Sequence, residues 1–255
     1  MKTTESSETC DAILAGKVRV IQPRRGYRFS VDSILLARFA SVRGSDRVLE
    51  LGAGTGVISL TIAALHRPRE IVALEIQPEL VAMIGRSAEL NSIDSIRAIA
   101  ADLRTLHDGK NAKVLRESFD VVMANPPYRA SHAGRISPHE ARRIARSETS
   151  ATLEDFIAAA SRCVRRGGKA AFVFAADRSA ELISALREYD LEPKRIRFVH
   201  PYNDAPATTI LIEARKNGGI EVAVEAPLIM FDSPGVYSQE AREILEEVAS
   251  HSPPK

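Results

Sequence analysis

A chain of 255 residues that is 45% apolar and 27% charged has the composition of an ordinary globular protein and is long enough for one large α/β domain. A net charge of +2 excludes a uniformly basic nucleic-acid binder, and two cysteines, Cys10 and Cys163, read as reduced thiols rather than a disulfide framework or a metal site. No apolar leader and no window of membrane-spanning length occurs in the sequence, so a cytoplasmic protein with no membrane and no metal is expected.

Residues 1 to about 12 are polar and rich in Ser and Thr, which reads as a disordered lead-in. Lys17 to Ile21 and Tyr27 to Phe29 flank Gln22-Pro23-Arg24-Arg25-Gly26, a pattern for a short hairpin. Ser30 is placed to cap a helix running through Ala40, with Asp32 in its first turn, where a carboxylate serves either the helix dipole or a ligand. Arg47 to Leu51 predicts a buried strand, Gly52-Ala53-Gly54-Thr55-Gly56 a turn, and Val57 to His66 a helix. A strand from Ile71 to Leu74 ends at Glu75, and Pro78 suits the first turn of a helix to Leu90. Ile96 to Ala101 is a third strand, ending at Asp102. An irregular stretch, Leu103 to Ser118, then leads to a fourth strand over Asp120 to Met123. Leu153 to Arg165 is expected to be helical with Gly167 or Gly168 closing it. A strand over Lys169 to Ala176, a helix over Ala180 to Tyr189, strands over Ile196 to His200 and Thr208 to Ala214, and a helix over Ser238 to Ala249 complete the chain. This alternation predicts a doubly wound, mostly parallel seven-stranded sheet, with residues 1–46 as a tail, hairpin and helix packed on a core domain of 47–255.

The fourth strand stops at Asn125-Pro126-Pro127-Tyr128. Two prolines force a stiff, extended exit from the strand, at the carboxyl edge where open α/β sheets bind ligands. The Asn125 side-chain oxygen and the Pro126 carbonyl can each accept one hydrogen of a planar amine, while Tyr128 stacks on its plane. The Glu50-x-Gly52-x-Gly54-x-Gly56 turn lets backbone approach a ligand closely and serves NAD, FAD or S-adenosylmethionine. Gly56 follows Gly54 by two positions, not the three of the dinucleotide fingerprint. Glu75, 19 residues beyond Gly56, can chelate both ribose hydroxyls, and Asp102 can accept from an adenine amine. Charge is segregated: Lys17, Arg19, Arg24, Arg25 and Arg28 fall together, and Arg129, Arg135, Arg142, Arg143 and Arg146 follow the Pro-Pro turn, whereas the stretch from Glu221 onward is acidic.

VLELGAGTG, ALEIQPEL, AIAADL and VVMANPPY resemble, in order and spacing, the successive motifs of Rossmann-like class I S-adenosylmethionine-dependent N-methyltransferases. FSVDSILLARFA and PLIMFDSPGVYSQEAREIL extend the similarity to the tRNA1(Val) adenine-37 N6-methyltransferase family, over most of residues 17 to 247. The resemblance implies methyl transfer to the exocyclic N6 of adenine in RNA, with tRNA the expected substrate. It assigns catalysis to Asn125, Pro126, Pro127 and Tyr128. Cofactor contacts fall to Glu50, Gly52, Gly54, Gly56, Glu75, Ile76, Asp102, Leu103 and Asp32. The basic segments 17–28 and 129–146 would meet RNA phosphates. Two other readings stand beside it: a protein glutamine N5-methyltransferase of the release-factor type, and a non-catalytic module binding S-adenosylmethionine or RNA.

Overall fold

The computed structural model describes residues 7–25, 28–107, 118–127 and 151–246. Its centre is a nine-stranded sheet. In chain order the main strands are β3 (Arg47–Leu51), β4 (Glu70–Glu75), β5 (Ile96–Ala100), β6 (Phe119–Ala124), β7 (Val164–Ala175), β8 (Leu191–His200) and β9 (Thr209–Lys216). Two short additions, β10 (Ala223–Val224) and β11 (Leu228–Ile229), both run parallel to β8. They take the count beyond the seven strands expected, because each is too short to carry a hydrophobic period. The spatial order is β10-β8-β9-β7-β6-β3-β4-β5, with β9 alone antiparallel to its neighbours.

The central strands are buried on both faces, and alternate residues belong to different cores. Val122 and Ala124 join Phe172 and Phe174 on one face; Val121 and Met123 join Ala171 and Val173 on the other. The first face is covered by α4 (Leu153–Cys163) and α5 (Ser179–Glu188), through Phe156, Ile157, Leu182 and Leu186. The second is covered by α1 (Val31–Phe39), α2 (Val57–His66) and α6 (Gln239–Glu246). The remaining helix, α3 (Pro78–Leu90), sets Ile84 against Ala53 and Ala73. Cys163 is buried, which pushes its thiol pKa up to about 12 and leaves it unreactive as a nucleophile.

Several expectations are corrected. The hairpin is made by β1 (Glu8–Ile13) and β2 (Val18–Pro23), not by residues 17–21 and 27–29. Part of the supposed lead-in is therefore a strand. Leu14, Ala15 and Gly16 turn the chain at positive φ, and Glu8, only 2% exposed, meets Arg86 on α3 in a two-pronged ion pair. That long-range partner is what a local reading of a polar segment misses. Ser30 occupies the N-cap position, but its hydroxyl donates to Asp32 (3.2 Å) rather than capping the helix. The helix from Leu153 ends at Cys163, and β7 begins at Val164 with no glycine cap between them. Here Thr152 and Asp155 close a capping box at the opposite end.

Gly167 and Gly168 instead serve a bulge. Phe119 faces Val164 and Val121 faces Lys169, so five steps along β7 oppose two along β6. Gly167 has φ +73°, and a Cβ on Gly168 would lie 2.7 Å from the Val164 side chain, so both positions need glycine. A smaller hairpin, β12 (Phe231–Ser233) with β13 (Val236–Tyr237), precedes α6. No helix among the described residues is long and apolar enough to cross a membrane.

Candidate active site

The chain leaves β3 toward β4 and β5 on one side and toward β6 on the other, so the carboxyl ends of β3 and β6 bracket a topological switch point. Register brings the expected residues to one level. Leu51 faces both Leu74 and Ala124, and Glu75 faces Ala100. Gly52, Glu75 and Asn125 therefore each follow a residue in one row, and Asp102 comes two residues after Ala100. One crevice thus receives four segments that are distant in sequence.

The glycine turn is shaped by backbone that only glycine tolerates well. Gly52, Gly54 and Gly56 have φ of +65°, +55° and +77°. A Cβ on Gly56 would stand 2.9 Å from Ile84 Cγ1, and one on Gly52 would stand 3.0 Å from the Phe156 ring. Two buried carboxylates tie this turn down. Glu75 Oε2 accepts from the Gly54 N–H (2.8 Å), and its Oε1 accepts from the Gln77 N–H (3.0 Å). Glu50 Oε2 accepts from the Ser59 N–H (2.9 Å) and from the Ser59 hydroxyl, joining the end of β3 to the first turns of α2.

Glu50 is 2% exposed. Burial raises its pKa to about 8, against the pull of its bonds from Ser59, and the nearby Glu75 adds to the rise. The folded pKa lies above the ordinary 4.5, so the stabilising contribution is complete below about 4.5 and is lost as pH climbs toward about 8. The ligand-free protein is accordingly expected to lose several degrees of melting temperature between pH 5 and 9, and Glu50→Gln to flatten that slope. Superimposable pH profiles for the two proteins would show that Glu50 does not carry the effect.

The Asn125 side chain is half-buried, and its Nδ2 donates to Ser33 Oγ on α1 at 3.3 Å. Spending the amide nitrogen on Ser33 leaves Oδ1 as the acceptor at the strand end. Ser33 is buried and was not singled out from the sequence; a serine inside an otherwise apolar helix face was the available signal. Asp32, half-buried, is its neighbour on the same turn. Pro126 is buried and Pro127 exposed. Tyr128 and the basic segment 129–146 lie outside the described residues.

Asp102 is gripped by Arg104: Nη2 at 2.6 Å from Oδ2, Nε at 3.0 Å and the backbone N–H at 2.9 Å from Oδ1. The hydrogen bonds from the Arg104 side chain are the main cause holding the Asp102 pKa below its usual range. Ile76 is 52% exposed beside Glu75, whereas Leu103 is 7% exposed and packs into the core under the site. In the segment 17–28, Arg28 is exposed but paired with Asp11 at 2.6 Å; Lys17, Arg19, Arg24 and Arg25 are exposed as well. The acidic stretch is also partly consumed, Glu225 by Arg195 and Glu240 by Arg197.

Comparison with known proteins supplies the family and the fold's relatives. A family model described as "Methyltransferase small domain" matches residues 29–190. A tRNA1(Val) (adenine(37)-N6)-methyltransferase of Dyadobacter fermentans is 25% identical over 229 residues, covering 89% of this chain and 92% of that protein. Among solved structures, a predicted O-methyltransferase from Agrobacterium tumefaciens superposes with a TM-score of 0.67 at 25% identity, over 84% of this chain and 94% of that one. TYW2 of M. jannaschii, in complex with AdoMet, gives a TM-score of 0.56 at 15% identity, over 83% of this chain and 87% of that one.

Proposed function

Because the chain belongs to the methyltransferase small domain family, we propose that it transfers a methyl group from S-adenosylmethionine to the exocyclic N6 of an adenine in tRNA. The observation that carries this reading is Asn125, whose amide nitrogen is held by Ser33 while its oxygen, at the carboxyl edge beside the glycine turn, has no hydrogen-bond partner among the described residues. The names of the relatives support adenine in tRNA as the acceptor.

The crevice fits the cofactor. Gly52, Gly54 and Gly56 present backbone without side chains, and Thr55 Oγ1 is buried in the same turn with no hydrogen-bond partner among the described residues. Each carboxylate oxygen of Glu75 accepts one backbone N–H and keeps lone pairs for the ribose hydroxyls. Ile76 offers an exposed apolar surface for the adenine ring. Asp102, kept ionised by Arg104, accepts from the adenine amine, and Leu103 supports that wall from below. Glu50 holds β3 to α2 and so fixes the turn, while Asp32 stands as a ligand contact on the first turn of α1.

S-adenosylmethionine supplies an electrophilic methyl group on a sulfonium. The protein's task is to make a weak nucleophile attack in line. The lone pair of an aromatic amine is delocalised into the ring. Asn125 Oδ1 and the Pro126 carbonyl accept its two hydrogens, favouring a lone pair directed out of the ring plane, while Tyr128 stacks on the base. Holding the nitrogen at a near-attack distance of about 3 to 3.5 Å supplies much of the rate enhancement. The methylated ammonium loses its proton readily, so no strong base is required. An adenine within a stack must be extruded or come from a loop, and the exposed cations of segment 17–28, together with segment 129–146, would contact phosphates. A tRNA substrate places this reaction in the cytoplasm.

The test is a transfer assay with radiolabelled S-adenosylmethionine, offering total tRNA, ribosomal RNA and protein extract from a strain lacking the gene. Label in tRNA that mass spectrometry identifies as N6-methyladenosine is the expected result. Label confined to protein glutamine, or none in any RNA, would overturn it.

A further inference from the structure

At the sheet edge opposite the glycine turn, a cleft of about 330 Å³ is lined by Arg166, Lys194, Arg215, Lys216, Asn217 and three glycines, with no carboxylate among them. Three elements build it: the bulged start of β7 pushes out Arg166, β8 contributes Lys194, and the end of β9 contributes Arg215 and Lys216. Two of the cations are anchored without being neutralised. Arg215 Nε donates to the Gly167 carbonyl at 3.1 Å, and Lys194 Nζ donates to the Gly219 carbonyl at 2.7 Å. Lys216 is spent differently, on Ser161, the Tyr189 carbonyl and Asp190. Arg166 is exposed, and its side chain has no partner among the described residues. Among the described residues, Arg166, Lys194 and Arg215 therefore bring three positive charges with no carboxylate partner to the cleft, around Gly218 and Gly219, which leave room for a bulky anion.

We propose that this cleft binds phosphodiester groups of the RNA backbone at a distance from the methylated base, so that the enzyme reads a folded RNA rather than a short single strand. The inference rests on the proposal that the substrate is RNA. Its geometry follows from register. Ala124, just before Asn125, faces Phe172, which faces Ile212 on β9, three residues before Arg215. Four strand steps and two strand spacings separate Asn125 from Arg215, a straight line of roughly 16 Å. A path over the surface is longer and corresponds to at least about five nucleotides of stacked helix at ~3.4 Å of rise each. A stretch of three or four nucleotides centred on the target adenine does not reach; a stem adjoining the loop does. Guanidinium groups suit this task because their planar forks meet phosphate oxygens in pairs.

The experiment compares the full-length wild type with Arg166→Ala/Lys194→Ala/Arg215→Ala and with Arg166→Glu, a change that removes no described contact and so tests charge without disturbing the fold. Filter binding of an unmodified tRNA transcript is measured over a salt series, with the Kd for S-adenosylmethionine as the measure of an intact fold. The triple variant is expected to bind tRNA at least about tenfold more weakly and to lose about one unit of log–log salt slope per phosphate contact removed. Arg166→Glu should shift in the same direction, with cofactor affinity unchanged in both. A tRNA Kd and salt slope within about twofold of wild type, or a wild type with no tRNA affinity, would overturn the cleft. Failure of the substrate proposal is seen separately, as wild-type protein that binds the transcript without methylating it.

Discussion

Asn125→Ala is expected to lower methyl transfer by about three orders of magnitude, in line with the loss of one oriented polar group at a reacting centre. The Kd for S-adenosylmethionine should stay within about twofold, since the proposed mechanism assigns Asn125 to the amine and not to the cofactor. The fold should tolerate the change. Asn125 is half-buried, and its amide makes one described hydrogen bond, to Ser33, so a loss of only about 1 kcal/mol is expected. Ser33→Ala makes a useful contrast: it leaves the Asn125 oxygen in place and removes only what aims it, so a milder loss is expected. Single-turnover rates and calorimetric cofactor titrations measure both quantities on the same preparations. Turnover equal to wild type in Asn125→Ala would refute the amine-gripping role, and a matching loss of cofactor affinity would move Asn125 to the cofactor's side.

Glu75→Ala should show the opposite pattern. Its carboxylate receives the Gly54 and Gln77 N–H groups, so it orders the glycine turn even before any ribose hydroxyl is bound. Charge-assisted bonds to a buried carboxylate are worth ~2–3 kcal/mol, which corresponds to roughly a hundredfold in Kd. S-adenosylhomocysteine should lose affinity in parallel, because ribose contacts do not distinguish the two molecules. Glu75→Gln should fall between, keeping an oxygen for one N–H while losing the charge. Titration calorimetry with both ligands decides the matter. An unchanged Kd in Glu75→Ala would remove Glu75 from the ribose site.

Much of the site is legible before any folding because its signals are local. Glycines at alternate positions, Pro-Pro after an apolar run and acids at strand ends act through φ limits and missing donors within a few residues. The helices from Val57 and Pro78 have the expected bounds for the same reason. What failed was decided at long range. A polar segment at residues 8–13 becomes a strand because β2 and Arg86 give it partners. The helix from Leu153 stops early because pairing with Phe119 captures Val164. Glycines that read as a cap serve a bulge instead.

By itself the sequence determined the α/β alternation, the glycine turn and the rigid exit at Asn125, since hydrophobic period and backbone restriction are properties of neighbouring residues. Only the tertiary structure decided that β6 lies beside β3, bringing Asn125 level with Gly52 and Glu75. It alone decided that Ser33 aims the Asn125 amide, that Ser59 receives Glu50, and that Arg166, Lys194 and Arg215 meet in one cleft. Those juxtapositions join residues from 9 to 92 positions apart at the two extremes of the hydrogen bonds named. No period or local motif encodes them, because they arise from strand order and register, which the packing of both faces fixes together.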